Sequence, residues 1–126
     1  MIVADTDVLI DALRGREPSA ARVRAGLRDG TLVTTSVNAF ELLSGARSPR
    51  EADAVDRLLG AMTILPLDAT AAGRAASCRR DLEAAGQTIG MGDSLIVGIC
   101  LSRTTGLLTR NRRHLDRVTD LVVIDP

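Results

Sequence analysis

The chain has 126 residues, 45% of them hydrophobic, and its sixteen Asp and Glu balance sixteen basic residues to a formal net charge of zero. That length and apolar content describe a single domain over residues 1–126 with a core of its own, and Cys78 and Cys100 are too few and too isolated for a disulfide framework or a cysteine metal clip. No apolar run approaches the roughly 20 residues of a membrane span, and no secretory leader pattern precedes Asp5, so a non-membrane, cytoplasmic protein is expected.

Ile2 to Ala4 is a short apolar strand, and Asp5-Thr6-Asp7 turns from it into a helix carrying Val8, Leu9, Ile10 and Leu13 that ends near Gly15. Pro18 to Asp29 reads as a second helix, with Ala20, Val23 and Leu27 on one side and Gly30 beyond its end. Thr31 to Ser36 follows as a strand, residues 37–46 as a helix, Glu51 to Gly60 as another, and Thr63 to Leu65 as a strand stopped by Pro66. The longest helix runs from Asp68 to Gly86 on a stripe of Ala71, Ala75, Cys78, Leu82 and Ala85, both cysteines being read as buried thiols. A Gly-rich connection to Gly92 leads to a helix starting at Asp93, with Leu95, Ile96, Ile99 and Cys100 on its apolar side. Leu107 to Thr109 is a strand, 111–117 a short helix or turn, and Leu121 to Ile124 a final strand.

Short apolar strands alternating with helices predict a parallel sheet of about five strands covered on both faces, with ligands taken beyond the carboxyl ends of the strands. Asp5, Asp7, Ser36 and the segment 109–111 fall at that edge, and Glu41 and Asp93 stand near the starts of helices that could face it. Each acid also has a local structural role open to it. Asp5 or Asp7 can cap the first helix, Asp93 the helix after the Gly-rich loop, and Asn38-x-x-Glu41 has the form of a capping box. The apolar neighbours of Asp5, Glu41 and Asp93 argue for more than a solvated face. Carboxylates about 4 Å apart repel by roughly 4 kcal/mol at an effective dielectric of 20, and a divalent cation removes that penalty. Oxygen ligands without Cys or His favour Mg²⁺ or Mn²⁺, whose chemistry suits phosphodiester hydrolysis.

All sixteen basic residues are Arg, several of them at Arg22, Arg24 and Arg28, at Arg79 and Arg80, and at Arg110, Arg112, Arg113 and Arg117. Arg suits bidentate phosphate contacts, and Arg110, Arg112 and Arg113 are candidates to steer a phosphate-bearing substrate or simply a solvated face. His114, the only histidine, reads as a surface residue. Ser36 is open to two readings, a hydrogen bond to a catalytic carboxylate or a helix cap.

Four blocks in order carry a family resemblance: Ile2-Val3-Ala4-Asp5-Thr6-Asp7-Val8-Leu9-Ile10-Asp11, Thr35-Ser36 to Glu41-Leu42-x-x-Gly45, Ile89-Gly90-Met91-Gly92-Asp93-x-x-Ile96, and the run from Leu108 to Val118. Over nearly its whole length the chain resembles the PIN domain, and within it the VapC-type toxin ribonucleases of VapBC toxin–antitoxin modules. The resemblance implies a three-layer PIN-like fold, Mg²⁺- or Mn²⁺-dependent endoribonuclease activity, a homodimer, and a VapB-like antitoxin partner. It makes Asp5, Glu41 and Asp93 the principal acids, with Asn111 where relatives often carry a fourth Asp. Asp5 and Asp93 are thus the expected metal ligands, joined by Glu41, with Asp7, Asn111 and Asp116 as candidates to complete the site. With no Tyr or Trp to stack on bases, a structured RNA such as tRNA or an rRNA loop is the expected substrate.

Two other readings stand beside this one. Asp5-Thr6-Asp7-Val8 also fits the opening of a haloacid-dehalogenase-like phosphatase, but no Lys and no late acidic pair follow. A non-catalytic PIN-like module that only holds RNA or protein is kept open by Asn111.

Overall fold

A computed structural model describes all residues, 1–126, as twelve elements. In chain order these are β1 (Ile2–Ala4), α1 (Thr6–Leu13), α2 (Ser19–Asp29), β2 (Leu32–Thr35), α3 (Ser36–Gly45), α4 (Pro49–Gly60), β3 (Ile64–Leu65), α5 (Ala69–Ala84), α6 (Met91–Arg103), β4 (Gly106–Leu108), α7 (Arg112–Leu115) and β5 (Val123–Ile124). The strands form one five-stranded sheet, ordered β3-β2-β1-β4-β5, and every pairing is parallel. The α/β reading therefore holds, as do five strands.

Successive strand residues point to opposite faces, and the two halves of the core follow that alternation. Val3, Val33 and Leu107 pack under α5 and α6 with Ala71, Leu82, Ile96 and Ile99. Ala4, Leu32 and Leu108, one position along each strand, pack with Val8, Leu9, Val23, Leu42 and Val55 on the other face. Both faces are thus covered, which is why the strands read as unbroken apolar runs.

The chain order reverses between β1 and β4, so the C-terminal ends of these neighbouring strands open a crevice of the kind in which α/β sheets bind ligands. Asp5 directly follows β1 and Thr109 directly follows β4; the Asp5 amide donates to the Leu108 carbonyl at 2.9 Å, locking the two ends together.

Several element boundaries differ from expectation, each for a local reason. Helix α4 begins two residues earlier than Glu51, because Ser48 caps it through the Glu51 amide at 3.1 Å with Pro49 in its first turn. Helix α6 begins at Met91 with Gly90 as its N-cap, so Asp93 lies inside the first turn and is not a cap. The α5 stripe holds at Ala71, Ala75 and Leu82; Cys78 is half-buried, packed against the edge of the same core, and Ala85 is exposed because the helix ends at Ala84 and leaves it as the C-cap. Cys100 is fully buried, and burial pushes its thiol up to about 12, so it stays protonated at neutral pH.

Candidate metal centre

Asp5 caps α1: its Oδ1 accepts from the Thr6 amide at 2.8 Å. The same oxygen accepts from Asn38 Nδ2 at 3.1 Å, and Oδ2 accepts from the Thr109 hydroxyl at 2.7 Å. Asp7, in the first turn of α1, accepts from the Arg110 amide at 3.1 Å through Oδ2, while its Oδ1 is buried with no partner. Glu41 comes from the middle of α3, and its Oε1 accepts from the Thr6 hydroxyl at 2.7 Å. Gly92 lets α6 approach α3: a Cβ there would lie 3.3 Å from Glu41 Oε2. Asp93 therefore arrives beside Glu41, and its Oδ2 is 3.5 Å from Asn111 Nδ2.

The electrostatics record this crowding. Burial lifts the Asp5 carboxyl to about 6, offset in part by the Thr109 hydrogen bond and raised again by the charge of Asp7. Burial also raises Asp93, followed by the charges of Glu41 and Asp7, with His114 pulling the other way. Two of the four acids thus hold their protons more tightly, first because they are buried and then because anions stand beside them. The fit to a divalent ion can be tested on Asp7: a buried carboxylate oxygen with no donor is costly unless a cation supplies the missing charge. The donors are all oxygens, which suits Mg²⁺ or Mn²⁺. No three acidic side chains stand close enough around one point to hold an ion as they are. The crevice is anionic and its acids are tied into one hydrogen-bonded network.

A PIN-domain family model matches residues 2–121. The chain belongs to the PIN-domain family. Among curated proteins this PIN domain is 32% identical to Ribonuclease VapC10 of Mycobacterium tuberculosis over 114 residues, covering 90% of the chain and 85% of that protein. It is 29% identical to the tRNA(fMet)-specific endonuclease VapC of Shigella flexneri over 121 residues, 93% and 91% of the two chains. It is therefore a PIN domain of the VapC type. Among solved structures it matches DNA-bound VapBC from Salmonella typhimurium with a TM-score of 0.89 at 26% identity, over 98% and 96% of the chains. A second VapBC structure, from Rickettsia felis, shares the fold at a TM-score of 0.89 and 20% identity, over 100% and 99%.

Of the residues read from the sequence, the PIN domain brings Asp5, Asp7, Glu41, Asp93 and Asn111 into one connected network. Asp116 is not joined to it; its exposed carboxylate pairs with Arg112 at 3.2 Å on the outside of α7. Ser36 neither caps α3 nor touches an acid. Thr35 is the cap, and the Ser36 hydroxyl accepts from the Leu67 amide at 3.1 Å. Asn38-x-x-Glu41 is likewise no capping box, because the helix starts at Ser36, two residues before Asn38, with Thr35 as its cap. The Asn111 amide is arranged with Nδ2 3.5 Å from Asp93 Oδ2 and Oδ1 2.8 Å from His114 Nδ1. His114 is exposed, as expected, yet lines the same open cavity as Asp93 and Asn111. Of the three candidate steering arginines, Arg110 is engaged by the buried Asp11 at 2.8 Å and Arg112 by Asp125 and Asp116. Only Arg113 has no acidic partner. Thr6, Asn38 and Thr109 complete the network; the sequence places Thr109 at this edge without giving it a role, and the only signal for Asn38 is Thr35-x-x-Asn38, a cap spacing one turn before Glu41.

Proposed function

We propose that this PIN domain is a Mg²⁺- or Mn²⁺-dependent endoribonuclease, the toxin of a VapBC-type pair, acting on structured RNA in the cytoplasm. The observation that carries the reading is the crevice at the β1–β4 reversal, where Asp5, Asp7, Glu41 and Asp93 converge and Asp7 Oδ1 is buried without a donor. Those four carboxylates are the residues that would hold the ion. A bound divalent ion there supplies Lewis acidity toward a phosphodiester and lowers the pKa of attacking water. The chain's own groups do the rest. Thr109 and Asn38 fix the Asp5 carboxylate, Thr6 restrains Glu41, and the Asn111 amide donates to Asp93. Helices α1 and α6 both begin at the cluster, and their N-terminal dipoles favour the carboxylates and an incoming phosphate.

The substrate class is supported by the relatives, which are named as a ribonuclease and a tRNA endonuclease. An antitoxin partner is supported by structural relatives that are VapBC complexes. A groove of about 410 Å³ between α1, α3 and α4 offers it a seat, with Ile10, Leu13, Leu42 and Val55 along it, Arg14 and Arg50 beside them, and Glu41 among its lining residues. The apolar stripes of α2 and α4 are not free for a partner helix, because Ala20, Val23, Val55 and Leu59 are buried within the domain. Phe40, Leu43 and Met91 remain exposed and are the apolar surface that homodimerisation would cover. The no-metal module reading is disfavoured by the unpartnered Asp7 oxygen.

The test is the chemistry of the cut ends. Purified protein incubated with a total tRNA pool and Mn²⁺ should leave 5′-phosphate and 3′-hydroxyl termini, as hydrolysis by activated water does. Cyclic phosphate ends, or equal cutting in EDTA, would refute the assignment.

A further inference from the structure

We infer that Asn38 is a positioning residue of this centre, orienting Asp5 directly and Glu41 through the Thr6 hydroxyl; the inference rests on the metal-centre reading above. Asn38 is fully buried, in the first turn of α3. Its side chain is not needed for capping, because Thr35 already receives the Asn38 backbone amide at 3.2 Å. The hydroxyl proton of Thr35 goes instead to Asn38 Oδ1 at 2.6 Å, which fixes the direction of the side-chain amide.

With Oδ1 held by Thr35, Nδ2 faces Asp5 Oδ1 at 3.1 Å and Thr6 Oγ1 at 2.9 Å, one proton for each. Thr6 has a single hydroxyl proton, and Glu41 Oε1 at 2.7 Å is a carboxylate that can only accept. Thr6 must therefore accept from Asn38 and donate to Glu41. Every proton in the chain Thr35–Asn38–Thr6–Glu41 has one direction, and the branch to Asp5 leaves from the same nitrogen. Among side chains of this size only Asn joins one acceptor to two donors on a single atom. Asp in its place has no second donor, and Leu has none. The network sets the rotamers of two acids that come from different helices before any ion arrives, which is the role that hydrogen bonding around ligands plays in metal sites.

The test uses the full chain without RNA, by calorimetric Mn²⁺ titration of wild type, Thr6→Val, Asn38→Ala and the double variant. Asn38→Ala should weaken Mn²⁺ binding about tenfold, the lower end of what such partners contribute. Thr6→Val should weaken it less, and the double variant should bind no worse than Asn38→Ala alone, because Thr6 loses its orienting donor in that background. With RNA, kcat should fall while KM is unchanged. A folded Asn38→Ala variant with wild-type Mn²⁺ affinity, or fully additive losses, overturns the inference. Should Asn38→Ala not fold, wild-type NMR decides: the two Asn38 Nδ2 protons should be separately resolved and slow to exchange, and rapid exchange overturns the inference equally. Mn²⁺ binding without RNA cleavage would remove the ribonuclease reading and leave this one to be judged on affinity; no Mn²⁺ binding in wild type removes both.

Discussion

Asp5→Asn should make the metal-free protein more stable while destroying its activity. Burial, Asp7 and Asp93 raise the Asp5 carboxyl from 3.8 to about 6, a shift of about two units, or about 3 kcal/mol at roughly 1.4 kcal/mol per unit. The group is 6% exposed, so solvent screens little of this. The sign follows from linkage. Because the folded state binds the proton more tightly than the unfolded chain, wild-type stability falls as pH rises from about 4 to about 6 and stays reduced above. Asn removes that charge and keeps an oxygen for the Thr6 and Asn38 donors. Its new Nδ2 meets the Thr109 hydroxyl, which can turn its proton to Asp7 Oδ2, already 3.4 Å away. Allowing about half the gain to be lost in this rearrangement leaves about 1–2 kcal/mol, or roughly 5 °C in Tm for a chain of this size. Thermal unfolding in EDTA at pH 4 and pH 7.5 measures it: a variant Tm slightly below wild type at the lower pH, where only the rearrangement cost remains, and a higher variant Tm at the upper. A variant less stable than wild type at pH 7.5, or a gain independent of pH, would refute the charge-crowding argument.

Four further substitutions probe the rest of the centre, its surroundings and the core. Asp7→Ala should raise the Mn²⁺ concentration needed for half-maximal cleavage, whereas Asp116→Ala should leave it unchanged, since only Asp7 lies in the network; a metal-dependence curve for each checks this. Asn111→Asp places a carboxylate where an amide now stands 3.5 Å from Asp93, so it should lower metal-free Tm and strengthen Mn²⁺ binding, read by calorimetry with and without the ion. Gly98→Ala would drive a Cβ to 2.5 Å from the Ala71 carbonyl oxygen and the Ala75 Cβ, forcing α5 and α6 apart at a cost of about 3 kcal/mol or more, seen as a lower denaturant midpoint.

The fold was legible because its strands are covered on both faces and its helices carry ordinary punctuation: Gly30 in a left-handed turn after α2, Asp68 capping α5. The acids Asp5, Glu41 and Asp93 were legible because each carries a charge among apolar neighbours. The neutral members of the network were not. Thr6, Asn38 and Thr109 are residue types that turn and cap everywhere, and nothing in a linear sequence states that Asn38 is buried to 0% exposure or that Thr109, 104 positions from Asp5, bonds to it. The start of α6 was misread because Gly90-Met91-Gly92 has the composition of a loop, although its second glycine is there to admit Glu41. Arg110 and Arg112 looked available for phosphate because their partners, Asp11 and Asp125, are distant in sequence.

Calorimetric titration of the metal-free protein with Mn²⁺ at pH 6 and pH 8 tests the central claim most directly, with Asp93→Asn alongside. Because Asp5 sits near 6, binding at pH 6 must displace part of a proton, and binding at pH 8 must not. The expected result is saturable binding at both pH values, proton release only at pH 6, and loss of binding in Asp93→Asn. Absence of binding in the wild type, or equal binding by Asp93→Asn, would contradict the assignment of this crevice as a metal centre.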